Sequence, residues 1–278
     1  MNSIFHKLLK RFVKQKPSYL SRSCQIGAWS YYLIKESGEI EVERTDDETD
    51  SFTYQDNQGN LTDLGTYNKN DGLVNIIQDG VSFSMGNTKE GKRYMNPEAF
   101  AAFLGASMNY NKKYGLKIQV NQFSTSTGGH SGHGGNGHYI DYRYSNTKGD
   151  VNEPVWTQWD SFDKAKSQFM VDQLIKFGYN STPSNLRGDR YSILTQKGTT
   201  SDPALVNTSY YTGHHHHVHI QNYDVSHVKV VPKLSIHKSS SLAYTYSAPN
   251  WARSSLIAAH IYFIFTGKDP SLPDQLQR

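Results

Sequence analysis

The chain has 278 residues with 29 Lys plus Arg against 25 Asp plus Glu, a length that holds one or two domains. Its one cysteine, Cys24, excludes a disulfide within the chain and a cysteine-built zinc site. The net charge of +4 comes with no Lys/Arg stripe interleaved with aromatics, which argues against nucleic acid as a partner; a basic surface suits an anionic polymer instead.

Residues 1–25 read as a basic amphipathic extension. Ile4, Leu8, Leu9 and Phe12 fall near helical spacing, with Lys7, Lys10, Arg11 and Lys14 between them. A secretory signal needs an apolar run of about seven to fifteen residues, and this stretch has none. Residues 26–90 form a hairpin-rich accessory region. Strands are predicted at Trp29–Ile34 and Ile40–Glu43 around the turn Glu36-Ser37-Gly38. Ser51–Tyr54 and Asn60–Leu64 flank a second turn at Asp56–Gly59, and Asn70-Asp71-Gly72 turns into Leu73–Ile77.

Residues 91–225 carry the features of the main domain. Asn96-Pro97 opens a helix to Tyr114, because Asn caps well and Pro is favoured at the first helical position. Phe100, Phe103, Leu104, Met108 and Tyr114 lie on or near one face, and Gly115 ends the helix. A strand follows at Leu116–Phe123, then a Ser/Thr/Gly/His loop to Gly137, then a strand at Tyr139–Tyr144 that carries Asp141. A second helix is predicted from Asp160 to Phe177, capped by Asp160 or Ser161 and stopped by Gly178. Residues 214–223 are the last strand. The C-terminal extension, 226–278, contains the apolar run Leu256–Phe265, too short for a membrane span of about twenty residues. The fold class expected is α+β: an antiparallel sheet with both helices packed on one side, preceded by the hairpins.

Eight of the 12 histidines fall in two clusters. The first runs His130-Ser-Gly-His133-Gly-Gly-Asn-Gly-His138-Tyr-Ile-Asp141, the second His214-His215-His216-His217-Val218-His219-Ile220. Imidazole nitrogen and carboxylate oxygen are zinc ligands, and a catalytic zinc site takes three of them with one position open. A purification tag would sit at a terminus, whereas this run is internal and leads into an alternating, strand-like sequence. A surface tract that binds metal adventitiously explains one cluster, not two with an aspartate. On a strand, His217 and His219 share one face while His216 and Val218 take the other. His138, three residues before Asp141, faces away from it and reads as a surface or groove residue. No HExxH pattern is present to supply a Glu base.

The order helix, strand, His/Gly loop ending in Asp, helix and closing His-x-His strand resembles LAS-type zinc peptidases of bacterial peptidoglycan. These are the D-alanyl-D-alanine carboxypeptidases, penicillin-insensitive murein endopeptidases and lysostaphin-type enzymes. The resemblance spans residues 96–223 and is most specific at Ser131-x-His133 with Gly137 and Asp141, and at His217-Val218-His219. It implies a hedgehog/DD-peptidase-like fold and a Zn2+ held by His133, Asp141 and His219. It implies that His217 assists catalysis, and it matches His130 and His214 to the extra histidines of the endopeptidase branch. The step from His133 to Asp141 is one residue longer than the family's, which an insertion in Gly134-Gly135-Asn136-Gly137 accounts for and which keeps His130 open as the first ligand.

The expected activity is a zinc-dependent endopeptidase or carboxypeptidase acting on peptidoglycan stem peptides. With an extracytoplasmic substrate and no signal peptide read, the chain is expected to be made in a bacterial cytoplasm and exported or injected by a non-classical route. An antibacterial effector with an injection apparatus and an immunity protein as partners fits this, and a phage-type endolysin is the alternative. A metal- or wall-binding module without activity is the competing class, and a non-peptidase metallohydrolase, such as a nuclease, a third.

Overall fold

The computed structural model describes residues 30–44, 48–86, 88–130, 135–149, 152–179, 192–232 and 234. The extension at 1–25, Trp29, Cys24, His133 and the tail from 235 onward, with its apolar run, lie outside them. The described residues fall in one compact unit, Met1–Leu234.

The expected hairpins form. Strands β1 (Ser30–Lys35) and β2 (Ile40–Glu43) pair antiparallel around Gly38. Strands β3 (Thr49–Gln55) and β4 (Leu61–Asn70) do the same, with β3 burying every second residue. Asp71 and Gly72 both take positive φ in the turn to β5 (Leu73–Asn75), which ends before the predicted Ile77; Ile77 is exposed. Two short strands, β6 (Phe83–Ser84) and β7 (Tyr94–Met95), precede the long helix Pro97–Tyr114. Asn96 caps that helix by accepting from the Ala99 N–H at 3.0 Å, and Gly115 ends it in a left-handed conformation.

After the helix come β8 (Ile118–Phe123), β9 (Ile140–Tyr142), a shorter helix (Lys164–Lys176), β10 (Ile193–Thr195), β11 (Ser209–Tyr210), β12 (Val218–Ile220) and β13 (Val228–Val230). The strands make two sheets, ordered β13-β2-β1-β3-β4-β5-β7 and β11-β10-β12-β9-β8-β6. A bridge between Tyr94 and Ser124 ties the last strand of the first sheet to the end of β8.

The class is α+β, and three finer expectations are corrected. The sheets are mixed: β3 lies across β1 from β2 and so runs parallel to β1, and β13–β2, β6–β8 and β10–β11 are parallel too. The long helix does not rest one face on a sheet; it is buried from Pro97 to Tyr110. Phe100 meets Phe52 and Tyr67 of the first sheet and Phe83 and Phe123 of the second edge-on, at 5.1–6.4 Å between ring centres. A helix held between two apolar sheets has no solvent side to keep polar. The shorter helix starts at Lys164 with Asp163 as its cap, not at Asp160 or Ser161. The backbone of Ser161 and Asp163 is committed to Thr147 and Ser145, and Phe162 closes a turn on Trp159, so the helix cannot begin before Lys164.

Candidate metal centre

Register builds the site. Across the second sheet, Leu194, His219, Asp141 and Gln122 stand side by side on β10, β12, β9 and β8. Neighbours in such a row have Cβ atoms about 5 Å apart and project from one face. A bulge in β8 between Val120 and Gln122 sets the last member of the row; in plain register Asn121 would stand opposite Asp141.

His219 Nδ1 lies 2.6 Å from Asp141 Oδ1, with both side chains buried. His130 Nε2 is 3.7 Å from Asp141 Oδ2, and its ring centre is 4.7 Å from that of His219. The ligand atoms of His130, Asp141 and His219 lie within 4.8 Å of one another, so these three residues can hold one metal ion. The buried Nδ1 of His130 has no hydrogen-bond partner among the described residues. The nitrogen that faces the carboxylate is Nε2, and a neutral imidazole nitrogen beside a carboxylate is a donor pair suited to zinc. His217 Nε2 stands 3.8 Å from Asp141 Oδ1, on the same side as His219. The ring of His214 is 4.6 Å from that of His217 and 5.5 Å from that of His219.

Electrostatics follow from burial. Burial works to raise the pKa of Asp141, but the hydrogen bond to His219 and the neighbouring imidazoles hold it at about 2. Burial pushes His217 down to about 3, and lowers His130 and His214 too. These rings are neutral at neutral pH, the form in which imidazole binds metal.

Two loops deliver the histidines. The first is cinched at its base, where the Gly137 N–H donates to Gly128 O at 3.0 Å and Gly137 O accepts from the Asn96 N–H at 2.9 Å. Gly137 takes φ +81, and a Cβ there would come within 2.7 Å of Asn96 N, so only glycine fits. Tyr139 stacks on His130 with ring centres 5.3 Å apart. The second loop, expected as strand from 214, becomes β12 only at Val218; His215, His216 and His217 before it form a bend. Gln196 accepts from the Gly213 N–H, Tyr144 donates to His214 O, and Thr157 donates to His215 O. Trp156 packs on His215 at 4.3 Å, while His216 is exposed.

Of the ligands the sequence pointed to, Asp141 and His219 are in the group, His133 lies outside the described residues, and His130 completes the three. His138 is corrected: it is 4% exposed, and its Nδ1 accepts from the Tyr223 N–H at 2.9 Å. It precedes β9 rather than belonging to it, so strand alternation does not govern it. Gln122, Lys92 and Trp156 were not anticipated. Gln122 was readable only as one residue of an alternating strand, and the bulge that aims it leaves no mark in the sequence.

Among the described residues no helix is long and apolar enough to cross a membrane. No family model matches this chain, and no curated protein matches it.

Proposed function

We propose that the chain is a zinc-dependent peptidase that cuts peptidoglycan stem peptides, on the hedgehog/DD-peptidase-like plan that its sequence order resembles. One observation carries this reading: two imidazoles and one carboxylate, from segments far apart in sequence, converge in a buried group with further imidazoles beside it. Two histidines with a carboxylate are a donor set of catalytic zinc. When bound, zinc supplies Lewis acidity, acidifying water and polarising a carbonyl.

The remaining chemistry belongs to the chain. Asp141, His219 and either His130 or His133 hold the ion. His217, neutral and within 3.8 Å of Asp141, is placed to take a proton at Nε2 or to donate from it to a developing oxyanion. His214 packs its ring against that of His217. Delivery into a rival cell, with an immunity protein in the producer, is the setting in which such an activity fits this chain.

The test is digestion of purified sacculi by the full chain, with and without chelator and with zinc restored, followed by mass analysis of the fragments. Peptide-bond products that vanish with chelator and return with zinc are expected. Intact sacculi under all three conditions, with the chain folded and zinc-loaded, would leave a metal-binding module without this activity.

A further inference from the structure

We infer that Gln122 is a positioning residue of the metal centre: its carboxamide holds Oδ2 of Asp141, the oxygen on the His130 side, and so leaves Oδ1 free to turn to the ion. This rests on the metal-centre reading above.

Three contacts carry it. Gln122 Nε2 donates to Asp141 Oδ2 and lies 3.4 Å from His130 Nε2. Its other end is fixed, because Lys92 Nζ donates to Gln122 Oε1 at 2.7 Å. That contact also settles the amide's orientation: an ammonium has no lone pair, so the atom facing Lys92 is the oxygen and the atom facing Asp141 is the nitrogen. The opposite carboxylate oxygen, Oδ1, meets His219 at 2.6 Å and His217 at 3.8 Å, while Oδ2 has His130 Nε2 at 3.7 Å. A carboxylate with one oxygen pinned by an N–H donor offers a metal its other oxygen. Without that donor it can swing to offer both.

The backbone points the same way. Only the bulge between Val120 and Gln122 brings Gln122 opposite Asp141. Asn121, which plain register would put there, accepts instead from Arg143 Nε at 3.2 Å. A shorter asparagine at the site would not span from Asp141 to Lys92. Outer partners of metal ligands typically change metal affinity by about 10- to 100-fold when removed.

The test uses the full chain carrying Gln122→Met, which keeps length but has no donor, and Gln122→Glu, which keeps the Lys92 contact but turns an acceptor toward Asp141. Zinc affinity is measured by chelator competition, and the cobalt-substituted forms are compared by visible absorption. Both variants are expected to bind one ion about 10- to 100-fold more weakly. The cobalt bands should weaken as Asp141 goes from one oxygen to two and the coordination number rises. Lys92→Met, which frees the far end of Gln122 but also removes a charge near His130, should move the cobalt bands the same way by less. Unchanged affinity and bands in both Gln122 variants, or tighter binding by Gln122→Glu, would overturn the inference; the second would make position 122 a ligand. Should Gln122→Met unfold, Gln122→Glu decides by the same two readouts. A wild-type chain that takes up no zinc fails at an earlier step, defeating the metal-centre reading and this inference with it.

Discussion

His138 is built to stay neutral, and acid should expose that. Its ring is buried against Tyr223, its Nδ1 accepts a backbone N–H, and burial takes its pKa from 6.5 down to about 4. In the unfolded chain the ring titrates at its ordinary value, so above pH 6.5 it is neutral in both states and its contribution is complete. As pH falls below 6.5 the unfolded state gains a proton that the folded state refuses, and stability is lost until pH passes the folded value near 4. Each unit of separation is worth about 1.4 kcal/mol, so the full loss is about 3 kcal/mol. The assay is urea unfolding at half-unit steps from pH 8 to 4, for wild type and His138→Gln. Glutamine can still accept from the Tyr223 N–H but does not titrate. The other buried histidines contribute to both curves, so the difference isolates His138. The gap between the curves should close by about 3 kcal/mol across that window; curves that stay parallel would refute the assignment.

His217→Ala should keep its zinc and lose about a hundredfold or more in stem-peptide hydrolysis, read by metal analysis beside initial rates. Loss of zinc together with activity would make it a ligand. Exposed His216→Ala should change neither. Phe100→Ala should cost about 3–5 kcal/mol in urea unfolding, because one ring bridges both sheets; a loss under about 1 kcal/mol would contradict a core shared through that helix. Asp163→Ala should cost about 1 kcal/mol by removing the cap of the shorter helix, with no comparable loss from Ser161→Ala.

Local signals in the sequence were read correctly where local physics decides. Asn96-Pro97 and Gly115 bound a helix because capping depends on a few adjacent residues, and the Asp71-Gly72 turn forms because its positive φ values are affordable there. Asp141 and His219 were legible as a candidate pair because their chemistry is rare in this density. What failed depends on distant partners. Whether Ser161 starts a helix is decided by Thr147, and whether the long helix has a solvent side is decided by two sheets that no window of sequence reveals. His138 looked like a groove residue because alternation was carried two residues beyond the strand that obeys it. The role of Gln122 hangs on one bulged residue, which shifts the partner of Asp141 without altering the apolar pattern.

The central claim is that this histidine–aspartate group holds one catalytic zinc. The most direct measurement is the rate of hydrolysis of a defined cross-linked muropeptide by chelator-stripped protein as zinc is added back in fractions of an equivalent. The account predicts no hydrolysis without zinc, a linear rise, and a plateau at one equivalent, with Asp141→Asn flat throughout. Full activity in the stripped protein, equal activity in Asp141→Asn, or no hydrolysis by protein carrying one tightly held zinc would contradict it.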